Sequence, residues 1–154
     1  MIALPLFHDV ATVPALDMPA RSLSQPYAGL VALGLKTIET RKTRTNIRGP
    51  FVVCSTLTPD CAAWDRLRDR IPAWAMPYCY IYGYALGLVD ITGCRPLVPA
   101  DEPQSWFYAP NRWAWLLANP RTLTPFQVRG FQGWFRVPRA DVARALDEGG
   151  DRGR

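Results

Sequence analysis

Lysine and histidine are nearly missing from this chain of 154 residues. Only two of its 18 basic residues are lysines, Lys36 and Lys42, and His8 is the one histidine. A histidine-rich metal site is therefore not expected, and His8 has no evident partner. The four cysteines (Cys54, Cys61, Cys79 and Cys94) form no CxxC pair, so a zinc site is not expected and no cofactor motif is read. No apolar run is long enough to span a membrane. The chain does not open on a basic segment followed by an apolar one, so no signal peptide is expected. Together with the unpaired cysteines, this points to a reduced, cytoplasmic setting.

What is present is arginine, proline and apolar residues. Hydrophobic residues make up 49% and charged ones 20%, which suits a folded domain and not a disordered chain. The 15 prolines favour short elements joined by turns over a long-helix bundle. The net charge of +5 suits an anionic partner, and the guanidinium is a rigid fork for phosphate, carboxylate or base edges. A genome that favours arginine codons explains the same composition equally well.

Along the chain, residues 1–20 read as an extended arm holding Pro5, Pro14 and Pro19, and residues 21–24 as a first short strand. Pro26 suits the first turn of a helix capped by Ser24 or Gln25, and Gly34 suits its C-terminal stop. Thr37 to Arg41 reads as a strand, rich in β-branched residues. Arg41, Lys42, Arg44 and Arg48 follow with no acid among them, up to a Gly49-Pro50 turn. Phe51 to Leu57 reads as a buried strand, and residues 59–71 as an amphipathic helix carrying Trp64, Leu67 and Ile71. Tyr78 to Gly93 reads as one long strand bent at Gly83 and Gly87, and residues 95–111 as a Pro-rich loop. Trp113–Leu117, Phe126–Val128 and Gly133–Val137 read as three strands, Arg139–Leu146 as a closing helix, and 148–154 as a disordered tail. One domain over 21–147 is expected, an α+β fold built on a small β-barrel with flanking helices.

The chemistry concentrates at Lys36-Thr37-Ile38-Glu39-Thr40-Arg41. Side chains alternate on a strand, so Thr37, Glu39 and Arg41 share one face, and Ile38 and Thr40 the other. Lys36 lies in the turn before the strand and can reach over the same mouth. Held close, Lys36 and Glu39 each favour the other's charged form. A desolvated lysine can instead lose its proton and act as base or nucleophile. Spacing alone fits an ordinary surface ion pair just as well.

The pattern Ser24-Gln25-Pro26-Tyr27-Ala28, then Gly34-Leu35-Lys36-Thr37-Ile38-Glu39-Thr40-Arg41, then Arg48-Gly49-Pro50 resembles the ASCH domain of the PUA-like superfamily. Gly87-Leu88-Val89-Asp90-Ile91, Arg112-Trp113-Ala114-Trp115 and Asn119-Pro120 follow in matching order. The resemblance implies a PUA-like mixed or antiparallel β-barrel with a cleft beside the first helix. It implies RNA or a modified nucleoside as partner. It also implies that some such proteins act on nucleic acid, as amidohydrolases on N4-acylated cytidine or as ribonucleases. In the amidohydrolase group the motif lysine is central, which here is Lys36. Glu39 stands where that group has a threonine, and Asp90 is the best-placed carboxylate for its distant glutamate.

Three function classes follow. A binding domain would use Ser24, Gln25, Tyr27, Lys36, Thr37, Glu39, Arg41, Arg44, Arg48 and Trp113 around a base and its phosphates. A hydrolase would use Lys36, Glu39 and Asp90 as its catalytic groups. A protein-interaction module would bind a peptide in the cleft or on the Pro-rich loop. Tyr27, Trp113, Trp115 and Trp134 are candidates for stacking on a base, with core packing the plainer reading of each tryptophan. Ser55 and Thr56 are weaker candidates to face the cleft.

Overall fold

The computed structural model describes residues 17–150, with side chains to residue 147. His8 and the greater part of the expected arm and tail lie outside the described residues. The described residues form six strands: β1 (Asp17–Leu23), β2 (Ile38–Arg41), β3 (Gly49–Ser55), β4 (Tyr84–Pro96), β5 (Trp113–Gln127) and β6 (Trp134–Pro138). They build a single mixed sheet in the order β2-β5-β4-β3-β1-β6. Only β1 and β3 run parallel; every other pairing is antiparallel. Among the described residues, five α-helices flank the sheet: α1 (Tyr27–Ala32), α2 (Cys61–Leu67), α3 (Met76–Cys79), α4 (Glu102–Ser105) and α5 (Arg139–Gly150).

The sheet curls into a half-barrel. Its concave face collects Leu23, Phe51, Val53, Val89, Ile91, Trp115 and Leu117, and α1 plugs the hollow with Ala28, Val31 and Ala32. The convex face holds Met18, Ala20, Val52, Cys54, Leu88, Leu123 and Val137, covered by Val142 and Ala145 of α5. A third cluster fixes the outer side of α1: Leu30 packs with Trp64, Leu67, Ile71, Ala75, Cys79 and Trp106. Burying side chains of this size contributes about 1.5–3 kcal/mol each before entropy is set against it. Helix α1 is therefore held from both sides, which matters because the cleft opens beside it.

Several sequence expectations need correction. Residues 17–20 belong to β1, where Met18 and Ala20 alternate into the core, and not to an arm. Tyr78 and Cys79 are helical; Pro77 opens α3 and Gly83, at φ +81°, breaks the chain before β4 begins at Tyr84. The segment Trp113–Gln127 is one strand and not two. Its ladder with β4 skips at Asn119 and Pro120, opposite the stretch between Leu88 and Asp90, so the missing proline N–H falls at a bulge. The loop over 95–111 contains α4. The closing helix runs on to Gly150, past the expected start of the tail. The amphipathic helix is shorter than expected, Cys61–Leu67, with Asp60 accepting from the Ala63 N–H as its cap.

Candidate nucleotide-sized cleft beside the first helix

The turn between α1 and β2 places the key cation. Gly34 adopts φ +78°, open to glycine at little cost. The Leu35 N–H then bonds back to Leu30 O and the Gly34 N–H to Val31 O, a Schellman ending. The segment around α4 clamps the residues that follow. Trp106 Nε1 donates to Leu35 O at 3.0 Å, and the Thr37 N–H donates to Gln104 O at 3.1 Å.

Lys36 is consequently turned inward and is 2% exposed. Its Nζ donates to Ile38 O at 2.6 Å and to Ser105 O, and lies 3.5 Å from Glu39 Oε1. The Tyr27 ring covers it, with its centroid 5.1 Å from Nζ. Nζ thus makes two hydrogen bonds to backbone oxygens and faces the Glu39 carboxylate at ion-pair distance. Burial pulls the Lys36 pKa down; Glu39 opposes that shift and Arg41 adds to it.

Glu39 is the counter-charge. Its Oε1 also accepts from the Thr40 N–H at 3.1 Å, while Oε2 lies 3.7 Å from Arg41 NH1, beyond a direct hydrogen bond. The carboxylate thus keeps acceptor capacity on its Arg41 side. The Thr40 hydroxyl is buried and has no partner among the described residues. Arg66, from α2, donates to the Tyr27 hydroxyl at 2.6 Å and lies over the Phe107 ring at 5.4 Å. Burial raises the Tyr27 pKa, and the Arg66 cation opposes that.

These groups surround a cavity of about 380 Å³ lined by Ser24, Tyr27, Lys36, Glu39, Thr40, Arg41, Asp60, Ala62, Arg66 and Phe107. The size falls in the range of small-molecule sites. Its floor is a buried ion pair, its walls are two aromatic rings, and its rim carries two arginines.

Of the sequence candidates, Ser24, Tyr27, Lys36, Glu39 and Arg41 are brought together here. The others stand elsewhere. Gln25 is fully buried and structural: Nε2 donates to Tyr78 O and Ile81 O, and Oε1 accepts from the Gly29 N–H. It is thus unavailable to a ligand, and Ser24 makes no side-chain cap. Thr37 is exposed and outside the cavity, its backbone tied to Gln104 and Leu117. Asp90 pairs with Arg121 at 2.7 Å and Asn119 at 2.9 Å, away from the cavity, so it is not a partner for Lys36. Arg48 donates to Thr45 O and Ile47 O, and Arg44 lies over Trp113 at 5.9 Å; none of the three lines the cavity. Trp115 is core, 2% exposed, stacked on Trp134 at 6.0 Å. Ser55 and Thr56 line a second cavity of about 560 Å³ with Arg21 and Arg41.

Sequence reasoning missed Asp60, Arg66 and Phe107. Arg66 was legible only as part of the polar face of α2, and neither Asp60 nor Phe107 was singled out. It also put Thr40 on the opposite face from Glu39, whereas both line the cavity. Among the described residues no group of three or more His, Cys, Asp or Glu side chains is placed to hold a metal ion. No described helix is long and apolar enough to cross a membrane.

The ASCH domain model matches residues 22–127, well over half of the sequence and all of the cleft-bearing segment. The chain belongs to the ASCH domain family. Two crystal structures of an ASCH protein from Zymomonas mobilis share its fold. A tyrosine-to-phenylalanine variant aligns with TM-score 0.50 at 10% identity, covering 84% of this chain and 96% of that one. The other structure of that protein aligns with TM-score 0.50 at 11% identity, covering 84% and 93%. At such identities the likeness concerns the ASCH fold alone. A comparison with curated proteins finds no match.

Proposed function

We propose that this ASCH domain binds RNA, or a modified nucleobase within it, in the cleft beside α1. The observation that carries the reading is the buried Lys36–Glu39 pair at the bottom of a cavity walled by Tyr27 and Phe107. A nucleobase has flat faces and a mixed donor and acceptor edge. Tyr27 and Phe107 offer rings to the faces, and stacking of this kind is worth about 1–3 kcal/mol per base. The free side of Glu39 accepts from a ring or exocyclic N–H, and Arg41 donates to a carbonyl or phosphate oxygen. Lys36, tied to two backbone oxygens, acts by charge and by holding Glu39 in place. The resemblance of the Gly34–Arg41 motif to nucleic-acid-binding relatives supports the same reading.

The test is binding of a panel of modified nucleosides and short single-stranded RNA to the wild type, Tyr27→Ala and Glu39→Gln. Loss of binding in both folded variants is expected. Equal affinity in all three would remove the cleft from consideration.

A second reading, hydrolysis on the same cleft, is favoured by one observation: burial lowers the Lys36 pKa. A lysine base or nucleophile needs that direction of shift. It also needs Lys36 to loosen its hold on the two backbone oxygens or on Glu39, which the binding reading does not. Product formed from N4-acetylcytidine or single-stranded RNA by the wild type, and not by Lys36→Met, would decide for the enzyme.

A further inference from the structure

Arg21 of β1 is a charged group that Glu39 favours from a distance but does not pair with directly. Among the described residues its guanidinium makes no ion pair or hydrogen bond, and its Nε is buried and unpartnered. It lies over the rings of Trp115 and Trp134, at 5.3 Å and 5.4 Å. Arg41 lies over the same Trp115 ring at 5.8 Å. The two cations thus converge on one indole, and each is a like charge to the other. The Glu39 carboxylate beside Arg41 is already shared with Lys36.

Such a pair is unfavourable by itself, and it occupies a particular place. Arg41 lines both the Lys36 cavity and the larger second cavity, and Arg21 lines the second. The arginines therefore stand at the seam. Beyond them the second cavity offers Thr56 and two exposed apolar side chains, Leu57 and Phe131. Two adjacent guanidiniums with free N–H groups match the oxygens of a phosphodiester, and the aromatic surface beyond matches a neighbouring base.

We infer that Arg21 and Arg41 form a phosphate site at the junction of the two cavities, so that the ligand is a nucleic-acid strand spanning both and not a free nucleoside. This rests on the cleft reading above and extends it. The strand places one base against Tyr27, its phosphate on the arginine pair, and the next base on the Phe131 side.

The experiment compares a short mixed-sequence single-stranded RNA with the same sequence carrying an uncharged methylphosphonate backbone. Affinities are measured over a salt series for wild type, Arg21→Gln, Arg21→Lys and Arg112→Gln. Arg112 is partly exposed, lies outside both cavities and serves as control. The wild type should favour the charged strand by roughly tenfold or more. Arg21→Gln should erase most of that preference and lower the salt slope by about one, and Arg112→Gln should not. Arg21→Lys, which keeps the charge and the stem, should fall between. It decides the question if Arg21→Gln unfolds: an unchanged preference in Arg21→Lys counts against the site. If Arg21→Gln is folded and keeps the wild-type preference and slope, the phosphate site is wrong while the cleft reading stands. If the wild type binds neither strand, the cleft reading fails and the phosphate site fails with it.

Discussion

Lys36 Nζ stands 3.5 Å from Glu39 Oε1, with the two side chains only 1% and 7% exposed. A pair shielded this well is not the surface ion pair that the i, i+3 spacing permits. Removing one partner leaves the other charge buried without compensation, which costs about 3–5 kcal/mol in comparable sites. Replacing both with apolar groups of similar volume is often close to neutral.

The first prediction separates stability from function on this basis. Glu39→Gln should lower the unfolding free energy by about 3 kcal/mol. Lys36→Met combined with Glu39→Leu should recover most of that loss. The double variant should nevertheless bind no ligand in the cleft. Urea melts of wild type, Lys36→Met, Glu39→Leu and the double variant close the cycle and read the coupling directly. A double variant no more stable than Glu39→Gln would mean that the pair is not the organising contact.

A second prediction concerns the turn that aims Lys36. Gly34 sits at φ +78°, and a Cβ there would meet Pro120 Cγ at 2.8 Å. Gly34→Ala therefore combines left-handed backbone strain with a clash against a rigid ring. It should destabilise the fold by about 1–2 kcal/mol from the backbone alone. Ligand affinity should fall as well, because the strain lies two residues from Lys36. A melt indistinguishable from wild type would show that the turn adapts freely.

How far the sequence carries is visible at these same residues. Gly34 as a helix stop and Glu39 beside Arg41 on one strand follow from local rules, because φ preference and strand alternation need no distant contact. The half-barrel itself was legible from the count of short strands and the family-like motif. Gln25 was not legible: its three bonds run to α1 and to backbone oxygens more than fifty positions away. Nor was the anchoring of Lys36 by Ser105, across 69 positions, or the company that Arg21 keeps with Trp115. The Asn119-Pro120 pair looked like a break because Pro cannot serve a ladder, yet a bulge accommodates it within β5. Misplaced candidates such as Asp90 fit their strand by context. What excludes them is an unforeseen partner, here Arg121.

A third prediction turns on pH. Asp101 heads the segment that carries Ser105 and Phe107 to the cleft. Its carboxylate takes two bonds from Arg95, at 2.7 Å and 2.8 Å, and one from the Val98 N–H at 2.9 Å. The Arg95 hydrogen bonds hold the Asp101 pKa below the usual value, against a smaller opposing effect of burial. The unfolded chain therefore binds the proton more readily than the folded one. Stability from Asp101 is fully present above about pH 4 and is lost as pH falls through its folded pKa. Arg95 is partly exposed, so at neutral pH the contribution is on the order of 1 kcal/mol. The gap in stability between wild type and Asp101→Asn should stay constant from pH 7 to about pH 5 and narrow below about pH 4. A gap that widens in acid would reverse the assignment.

The last prediction divides the two parts of Tyr27. Its hydroxyl accepts from Arg66 at 2.6 Å at an exposed position, while its ring covers the Lys36 ammonium and walls the cavity. Tyr27→Phe removes only the first of these. It frees Arg66 at the rim, costs less than about 1 kcal/mol of stability, and leaves the stacking surface in place. Tyr27→Ala removes both, opening the cavity and exposing Lys36 to water. RNA affinity should therefore stay within about threefold of wild type in Tyr27→Phe and fall by about tenfold or more in Tyr27→Ala, as expected when one stacked base is lost. Equal losses in the two variants would assign the work to the hydroxyl and its arginine. The ligand would then be gripped at the rim through Arg66, and the ring would serve only to shield Lys36.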